Sequence, residues 1–405
     1  MISRLVRSAA TLGLALLVVP LAANCTGSTL DTPPRPPRTD GGLVEAGVDT
    51  DASSGGAVDP EACTTDEDCG GTDPGSCSRW ACNEDTRRCH TVSLGEGCNE
   101  CGSGGVLRVH FYRMSQALAA LVELPDGRHI LIDTGDSPTR QFCGTACSTA
   151  HDHLIERLRE DLEGAPIDML WITHPHSDHV GGAVGVFENF DVTHYVDNGR
   201  DSDDNQIRIV HQRANQESTM TVVEPTREEI PIAGSGDLKL AAIVPPVWLS
   251  QCSTDRNACS ILLRIDYCSS SVLFTGDAEI DEEEQIDTLG PATLLQAGHH
   301  GSSTSSGAEF LARVQPKYAV ISSGREDEGL NDSYCHPRSV TVEGLTAALG
   351  GSGGNTLRAF DGQVSCRGNT DSHWIDVPAS DRLWSTARDG DVVLSTTGDG
   401  TFVKE

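Results

Sequence analysis

Three histidines and one aspartate lie within six consecutive residues, where His174, His176, Asp178 and His179 form an H-x-H-x-D-H run. A short apolar stretch precedes the run and a helix-like pattern follows it, so we expect these side chains on a loop at the end of a strand. Burying three imidazoles and a carboxylate together would be costly without cations. Zinc and manganese accept these side chains as ligands. The run therefore predicts a metal site.

Three shorter motifs continue the pattern, each after an apolar, strand-like stretch. Asp133, in the sequence Ile-Asp-Thr-Gly, is predicted to accept a hydrogen bond that orients a ligand imidazole. Asp277, in Phe-Thr-Gly-Asp, can place a carboxylate between two ions, and His300, in Gly-His-His-Gly-Ser, can supply the last imidazole. All four motifs in this order predict a centre with two divalent metal ions, zinc in the first place and manganese as the alternative.

The region from residue 105 to the end alternates between strand and helix patterns. Apolar residues recur at helical spacing in the segment 154–162. Strands are predicted at 107–111, 117–123, 129–132, 169–172, 261–265, 272–274, 293–295 and 318–321, and further helices at 182–190 and 308–314. Because strands that lead into polar loops alternate with helices, the pattern predicts an α/β sandwich with helices on both outer faces of its sheets.

The N-terminus has the features of an export signal. Arg4 and Arg7 precede an apolar stretch at 9–23 that is too short to span a bilayer comfortably. The stretch ends at Cys25 in a Leu-Ala-Ala-Asn-Cys sequence that resembles a bacterial lipobox, which predicts lipidation of Cys25. Residues 26–62 have few large apolar side chains and are predicted to form a tether. We therefore expect a lipoprotein of the cell envelope or a secreted protein, with membrane contact only through the lipid anchor.

Cysteine usage agrees with export. Apart from Cys25 the chain has fourteen cysteines, seven in residues 63–101 and seven in residues 105–405. So many cysteines in an exported chain predict disulfides, and the segment 63–101 is too small to fold without them. Pairing cannot be read from spacing alone. Both regions hold an odd number, so one bridge between them would satisfy the two counts.

The charge balance limits the substrates that the protein can bind. The chain has 60 acidic and 29 basic residues, a net charge of −31. A field of this sign repels polyanions, and no basic stripe with interleaved aromatic residues is present, so no extended nucleic-acid-binding surface is expected. Bound dications reverse the sign locally, so a small or short phosphoester remains compatible with the composition.

The region from Leu107 onward is similar to the metallo-β-lactamase-fold domain of ComEC-type competence proteins and their stand-alone relatives. The matching stretches are 125–135, 174–182, 257–260, 275–279, 297–302 and 334–337. The His-His-Gly-Ser sequence and the later His-Pro distinguish this group from true β-lactamases. The resemblance implies an αββα sandwich over residues 105–405, preceded by the small disulfide-rich module.

The resemblance also implies two ion sites that share one carboxylate. The first ion would be held by His174 and His176, and the second by Asp178, His179 and His300, with Asp277 bridging both. His299 would face the substrate, and His336 would approach the same pocket from a late loop. The chain departs from the family in residues 114–118, which replace a Gly-Gln-Gly-Asp-like turn in one wall of the pocket.

A third imidazole for the first ion does not stand out in the sequence. His194 and His211 lie in the right interval, although a surface or packing role fits each of them better.

These features favour a hydrolase of phosphodiesters or other phosphoesters, since the His-His-Gly-Ser sequence resembles that of phosphodiesterases. A hydroxide that bridges the two ions would attack phosphorus. Asp178 would accept the proton of the water, while His299 and His336 would stabilise developing charge or protonate the leaving oxygen.

Two alternatives stay open. A lactone, thioester or β-lactam hydrolase would need the same centre, but such enzymes usually carry a Gly-His motif between the first histidine cluster and the bridging aspartate, and the interval from His179 to Asp277 has none. A non-catalytic binding module of the envelope would keep the metals for structure, and the full set of ligands weighs against it.

Overall fold

The computed structural model describes residues 63–69, 77–82, 87, 89–93, 95–201, 204–226, 230–351, 353–362 and 373–405. The predicted signal peptide at 1–25, the lipidation site Cys25 and the tether at 26–62 lie outside the described residues. Within the described part, no helix has both the length and the apolar character needed to cross a membrane.

The described strands and helices follow one another as an α/β chain. In chain order, the strands are β1 (Ser78–Cys82), β2 (Cys89–Ser93), β3 (Leu107–Phe111), β4 (Ala120–Glu123), β5 (His129–Ile132), β6 (Met169–Trp171), β7 (His194–Asp197), β8 (Thr219–Val222), β9 (Ile230–Ser235), β10 (Leu238–Ile243), β11 (Leu262–Tyr267), β12 (Ser270–Phe274), β13 (Leu294–Gln296), β14 (Tyr318–Ile321), β15 (Asn355–Phe360), β16 (Trp374–Ala379), β17 (Leu383–Ser385), β18 (Val392–Thr396) and β19 (Val403–Lys404).

The α-helices are α1 (Ala146–Leu162), α2 (Ser177–Val180), α3 (Ala183–Asn189), α4 (Asn205–Glu217), α5 (Ile280–Glu283), α6 (Ala308–Val314), α7 (Asn331–Tyr334), α8 (Ser339–Leu349) and α9 (Thr386–Asp389). Short 3-10 turns lie at Asp66–Cys69, Glu96–Asn99, Ser250–Ser253, Arg256–Cys259 and Gly298–Gly301.

Two large sheets form the centre of the fold. One has eight strands in the order β19-β18-β3-β4-β5-β6-β7-β8, and the other has seven in the order β17-β14-β13-β12-β11-β10-β9. Strands β5 to β8 run parallel in the first sheet, and β12, β13, β14 and β17 run parallel in the second. One apolar core joins their inner faces, where Phe111 and Trp171 of the first sheet are buried with Phe274 of the second.

Helices cover the outer face of each sheet because strand side chains alternate between two apolar environments. On β5, Ile130 and Ile132 point to the core between the sheets, whereas Leu131 packs with α1, α3 and α4. On the second sheet, Leu295 and Ala319 pack with α6 and α8. The predicted αββα sandwich is confirmed, with a disulfide-linked segment before it.

The C-terminal strands complete the first sheet. Strand β18 pairs antiparallel with β3, placing Leu394 opposite Val109, and β19 pairs with β18 at the sheet edge. No strand was predicted from the sequence in this region, and its pairing joins segments that lie almost 300 residues apart. On β18, Val392 and Leu394 are buried in the core, whereas Val393 and Ser395 are half-buried, so the outer face of this strand is partly open to solvent.

Five disulfides can be described with both of their cysteines, and Cys69 and Cys335 are disulfide-bonded as well. Cys63–Cys82 and Cys77–Cys98 lie within the N-terminal segment, and Cys143–Cys147 and Cys252–Cys259 lie within the sandwich. The fifth, Cys101–Cys268, connects the two regions, so the predicted bridge between them is confirmed. Near this bridge, the Tyr267 hydroxyl lies 3.1 Å from the carbonyl oxygens of Cys98 and Gly105.

Candidate metal centre

The polar motifs meet at one edge of the sandwich because each follows the C-terminal end of a parallel strand. Asp133 follows β5 and the H-x-H-x-D-H run follows β6 in the first sheet, while Asp277 follows β12 and His299-His300 follows β13 in the second. Parallel neighbours end at the same edge, so loops that are distant in sequence become adjacent in space.

Four of the predicted ligands form one tight group. Ligand atoms of Asp178, His179, Asp277 and His300 all lie within 4.8 Å of one another. His179 Nε2 is 3.2 Å from Asp277 Oδ1, and His300 Nε2 is 3.5 Å from Asp277 Oδ2. His300 Nε2 is also 3.4 Å from Asp178 Oδ2. The structure therefore brings together all four residues that were predicted to hold the second ion with the bridging carboxylate.

The two remaining predicted ligands adjoin this group. His174 Nε2 is 3.0 Å from His176 Nδ1 and 4.0 Å from Asp277 Oδ2. The Asp277 carboxylate is therefore close to His174 of the first predicted ligand set and to His179 and His300 of the second. One carboxylate in this position can contact two cations at once.

The residues fit divalent cations, because buried polar atoms converge there without hydrogen bonds. His179 Nε2, His300 Nε2 and Asp277 Oδ1 are buried and have no hydrogen-bond partner. The 3.2 Å between His179 Nε2 and Asp277 Oδ1 is close enough for an ion pair, yet the two atoms do not form a hydrogen bond. Buried polar atoms are rarely left unsatisfied, and imidazole nitrogens with carboxylate oxygens are suitable ligands for a divalent metal.

The charges of the site are strongly coupled. Burial, with the neighbouring His179, holds the pKa of His174 well below its usual value. Burial alone would lower the pKa of His179 too, but Asp277 and Asp133 raise it well above that value. Despite burial, His179 and His300 hold the pKa of Asp277 well below its usual range. A cation would take the place of the proton on His179, because an imidazole nitrogen binds metal only when it is deprotonated.

Two hydrogen bonds orient the imidazoles of this group. Asp133 Oδ2 lies 2.7 Å from His179 Nδ1, and Asp133 also accepts hydrogen bonds from the backbone N–H and the hydroxyl of Thr173, both at 2.8 Å. His300 Nδ1 lies 2.8 Å from the carbonyl oxygen of Ser322. With Nδ1 engaged as a donor, each ring directs Nε2 toward Asp277. The orienting role of Asp133 was predicted from the sequence. Ser322 lies in no motif that would have predicted its hydrogen bond with His300.

The two predicted substrate-facing histidines lie beside the centre. His299 Nε2 is 3.6 Å from Asp277 Oδ2, and its ring packs edge-on against that of His336 at a centroid distance of 5.4 Å. The His336 ring is buried, with Nδ1 3.2 Å from Nε2 of Gln116. Gln116 belongs to the segment that departs from the family turn, so this segment contributes a partner for His336.

The other two histidines considered for the first ion lie elsewhere. His194 Nδ1 is 2.6 Å from the Thr219 hydroxyl, and His211 Nε2 is 2.5 Å from Asp197 Oδ2. Neither is placed in the group around Asp277, so neither supplies a third ligand to His174 and His176. Cys101, Asp237 and Cys268 also come together, but the two sulfurs form a disulfide.

Sequence reasoning assigned no role to several other residues around the centre. Asn257 Nδ2 lies 3.3 Å from His299 Nε2, and Glu279 Oε1 lies 3.3 Å from His299 Nδ1. Arg256 donates to the carbonyl oxygen of Pro175, inside the H-x-H-x-D-H run, at 3.1 Å. Asn257 and Glu279 both lie in stretches that resemble ComEC-type domains, which was the only signal in the sequence.

Comparison with known proteins agrees with the fold. Residues 113–325 match the metallo-beta-lactamase superfamily. The chain is 28% identical over 181 residues to ComE operon protein 3 of Bacillus subtilis, covering 44% of this chain and 22% of that protein. It is 30% identical over 213 residues to Recombination protein 2 of Haemophilus influenzae, covering 52% of this chain and 24% of that protein. It is 39% identical over 97 residues to Competence protein ComA of Neisseria gonorrhoeae, covering 23% of this chain and 13% of that protein.

The chain thus spans less than a quarter of the length of these relatives. The superfamily match covers more than half of the 405 residues of the chain and includes every motif from Asp133 to His300. The chain therefore belongs to the metallo-beta-lactamase superfamily, and it is similar to part of each of these three proteins.

Proposed function

We propose that the protein is an exported phosphoesterase that cleaves small or short phosphoesters, phosphodiesters in particular. The observation that carries the proposal is the position of Asp277, whose carboxylate lies within 4.0 Å of imidazoles from both predicted ligand sets while His299 lies beside it. A shared carboxylate with a histidine at its side suits displacement at a phosphorus centre.

The residues divide into ligands for two cations. His174 and His176 would hold the first with Asp277, and Asp178, His179 and His300 would hold the second with the same carboxylate. Zinc fits the imidazole-rich set best, and manganese is the alternative. When bound, the cations would supply Lewis-acid activation of water and of a phosphoryl oxygen.

Protein side chains would accept and donate the protons that the reaction transfers. Partial burial would raise the pKa of Asp178, but His300, 3.4 Å away, and His179 lower it, so the carboxylate is ionised at neutral pH and can accept the proton of the attacking water. The carboxylates Asp277 and Glu279 raise the pKa of His299 against the effect of burial, which favours the protonated form of that ring. His299 is therefore the group that we assign to a substrate oxygen as donor.

His336 has a different part. Burial and the neighbouring His299 and His300 hold its pKa well below the usual value, so the ring stays neutral. It packs against His299 and is held by Gln116. We infer that His336 shapes the pocket and hydrogen-bonds substrate as a neutral group.

The chain's charge supports a small substrate. A protein with a net charge of −31 repels an extended polyanion, whereas two dications at the centre would attract a single phosphoester group. The disulfides support an oxidising compartment. Together with the predicted signal peptide and the lipidation site Cys25, they favour a place in the cell envelope.

The test is metal analysis of the purified protein combined with a substrate panel. We expect about two metal equivalents, turnover of bis(p-nitrophenyl) phosphate, and none of nitrocefin or acyl lactones. Asp277→Ala should abolish both the bound metal and turnover while circular dichroism stays unchanged, and Asp287→Ala, at an exposed acid, serves as the control. Turnover of a lactone or β-lactam without phosphodiester activity would contradict the proposal, as would turnover that survives Asp277→Ala.

A further inference from the structure

The His299 ring has different surroundings on its two nitrogens. Nδ1 lies 3.3 Å from Glu279 Oε1 and 3.3 Å from the Thr304 hydroxyl oxygen. Nε2 lies 3.3 Å from Asn257 Nδ2, which is 3.5 Å from Nδ1, and 3.6 Å from Asp277 Oδ2. One edge of the ring therefore faces a carboxylate and a hydroxyl, while the other faces the metal centre.

The partners on the Nδ1 side leave one arrangement of protons. The Thr304 hydroxyl donates to Glu279 Oε1 at 2.7 Å, so its proton is already engaged. Both oxygens near Nδ1 are then acceptors, because an ionised carboxylate has no proton to donate. The Nδ1 atom must therefore be the donor to these oxygens, which leaves Nε2 as the ring nitrogen that can form a hydrogen bond with substrate.

Local backbone geometry also brings Glu279 close to the His299 ring. His299 and His300 both adopt left-handed conformations, with φ of 48° and 53°, and the His299 N–H donates to the carbonyl oxygen of Gly276 at 3.0 Å. This bond fastens the histidine turn to the loop that carries Asp277 and, two residues later, Glu279. A ring in such a turn needs a side-chain partner to fix its rotation about the Cβ–Cγ bond.

We propose that Glu279 is a positioning residue for His299. Its carboxylate, held by Thr304, accepts the Nδ1 proton and keeps Nε2 directed at the space beside Asp277. The catalytic consequence rests on the proposed function, since it assumes that His299 contacts the substrate. The relation parallels that of Asp133 to His179, with the difference that His299 is not assigned as a metal ligand.

The kinetic test compares two variants at position 279. Glu279→Ala should lower kcat for bis(p-nitrophenyl) phosphate by roughly 10- to 100-fold, the usual effect of removing the partner of an active-site histidine, with KM and metal content unchanged. Glu279→Gln keeps a carbonyl oxygen within reach of Nδ1 and should restore most of the lost activity. Glu309→Ala, at an exposed acid on α6, is the control.

A double-mutant cycle separates positioning from a general structural effect. If Glu279 acts through His299, then Glu279→Ala in the His299→Ala background should change kcat by less than about twofold, because its target is already gone. An equal loss of activity in both backgrounds would overturn the proposal.

A spectroscopic readout is independent of the reaction. In the zinc-loaded full chain labelled with ¹⁵N-histidine, His299 is assigned by the signal that disappears in His299→Ala. At a pH high enough to deprotonate the ring, we expect the Nδ1–H tautomer in the wild type and loss of that preference in Glu279→Ala. An Nε2–H tautomer in the wild type, or the same tautomer in both proteins, would overturn the proposal. The tautomer can be measured even if the protein turns over no phosphoester. Failure of the proposed function can therefore be distinguished from failure of the positioning role of Glu279.

Discussion

Asp133 Oδ2 lies 2.7 Å from His179 Nδ1, and both side chains are fully shielded from solvent. Thr173 donates two hydrogen bonds to the same carboxylate, so its position is determined from three directions. The carboxylate fixes the tautomer of His179 and thereby aims Nε2 at the metal centre.

The first prediction tests this relationship. Asp133→Asn should lower the affinity for metal by about 10- to 100-fold, because the amide no longer stabilises the Nδ1–H tautomer with a negative charge. Competition with a chromophoric zinc chelator measures the change, and phosphodiester turnover at limiting zinc should fall with it. Asp287→Asn, at an exposed site, provides the comparison. Equal metal affinities of the wild type and Asp133→Asn would show that Asp133 does not orient His179.

The second prediction concerns the backbone contact behind the H-x-H-x-D-H run. A Cβ atom at Gly182 would lie 2.2 Å from the carbonyl oxygen of Thr134, in the loop that follows Asp133. Gly182→Ala must push these loops apart and should lower the free energy of unfolding by about 1–3 kcal/mol, as overpacking commonly does.

Gly344 is the matched control for this change. It lies in α8, and a Cβ atom there would meet nothing within 4 Å. Gly344→Ala should therefore stabilise the protein by about 0.5–1 kcal/mol through helix propensity. Urea unfolding of both variants measures the difference, and two changes of the same sign would show that the close approach at Gly182 does not matter.

The third prediction is a pH dependence of stability that arises at Glu283. Burial raises the pKa of this carboxyl from 4.5 to about 7, although the backbone N–H groups of Ser306 and Gly307 donate to it. Between these pH values the folded state binds a proton that the unfolded chain has released. The free energy of unfolding therefore falls as pH rises across this window, by about 3 kcal/mol in total from this group.

Glu283→Gln removes this titration. Relative to the wild type, the variant should gain about 3 kcal/mol between pH 4.5 and pH 8, whatever its stability at the starting pH. Unfolding in urea with a chelator present keeps metal loss out of the comparison. Glu284→Gln, at the exposed neighbouring position, should show no such gain. Parallel pH curves for wild type and Glu283→Gln would show that the carboxyl titrates normally.

The fourth prediction concerns the disulfide that joins the N-terminal segment to the sandwich. Cys101–Cys268 connects residues 167 positions apart in sequence. A cross-link over so long a loop restricts the unfolded chain strongly, so the double replacement Cys101→Ser with Cys268→Ser should cost about 2–4 kcal/mol.

The bridge Cys143–Cys147 spans only four positions and offers the comparison. Its removal should cost less, because a short loop loses little entropy when it is closed. Urea unfolding of the two double variants tests the order, and a larger loss from the short bridge would contradict the chain-entropy account.

Much of the site could be predicted from sequence because its determinants are local. His174, His176, Asp178 and His179 lie within a single loop, so their spacing alone predicts a shared site. Strand patterns that alternate with helix patterns predicted sheets with helices on their outer faces, and the structure places Leu131 and Ile132 of β5 on opposite faces of such a sheet. Periodicity and loop position are properties of neighbouring residues, and they appear directly in the sequence.

Relations between distant segments were decided only by the tertiary structure. Gln116 meets His336, and Ser322 meets His300, across about 220 and 22 residues of chain. Strand β18 joins β3, and Glu279 faces His299, because strand pairing within each sheet brings these segments together. Such contacts depend on how whole elements pack, and no local spacing records that.

The sequence by itself determined the ligand types, their order along the chain and the class of sheet that carries them. The tertiary structure decided which nitrogen of each imidazole faces the metal centre, since that depends on a partner atom from another loop, such as Asp133 for His179. It also excluded His194 and His211 from the centre, by giving each a partner elsewhere. A ligand set can therefore be encoded by local motifs, whereas its orientation follows from long-range packing.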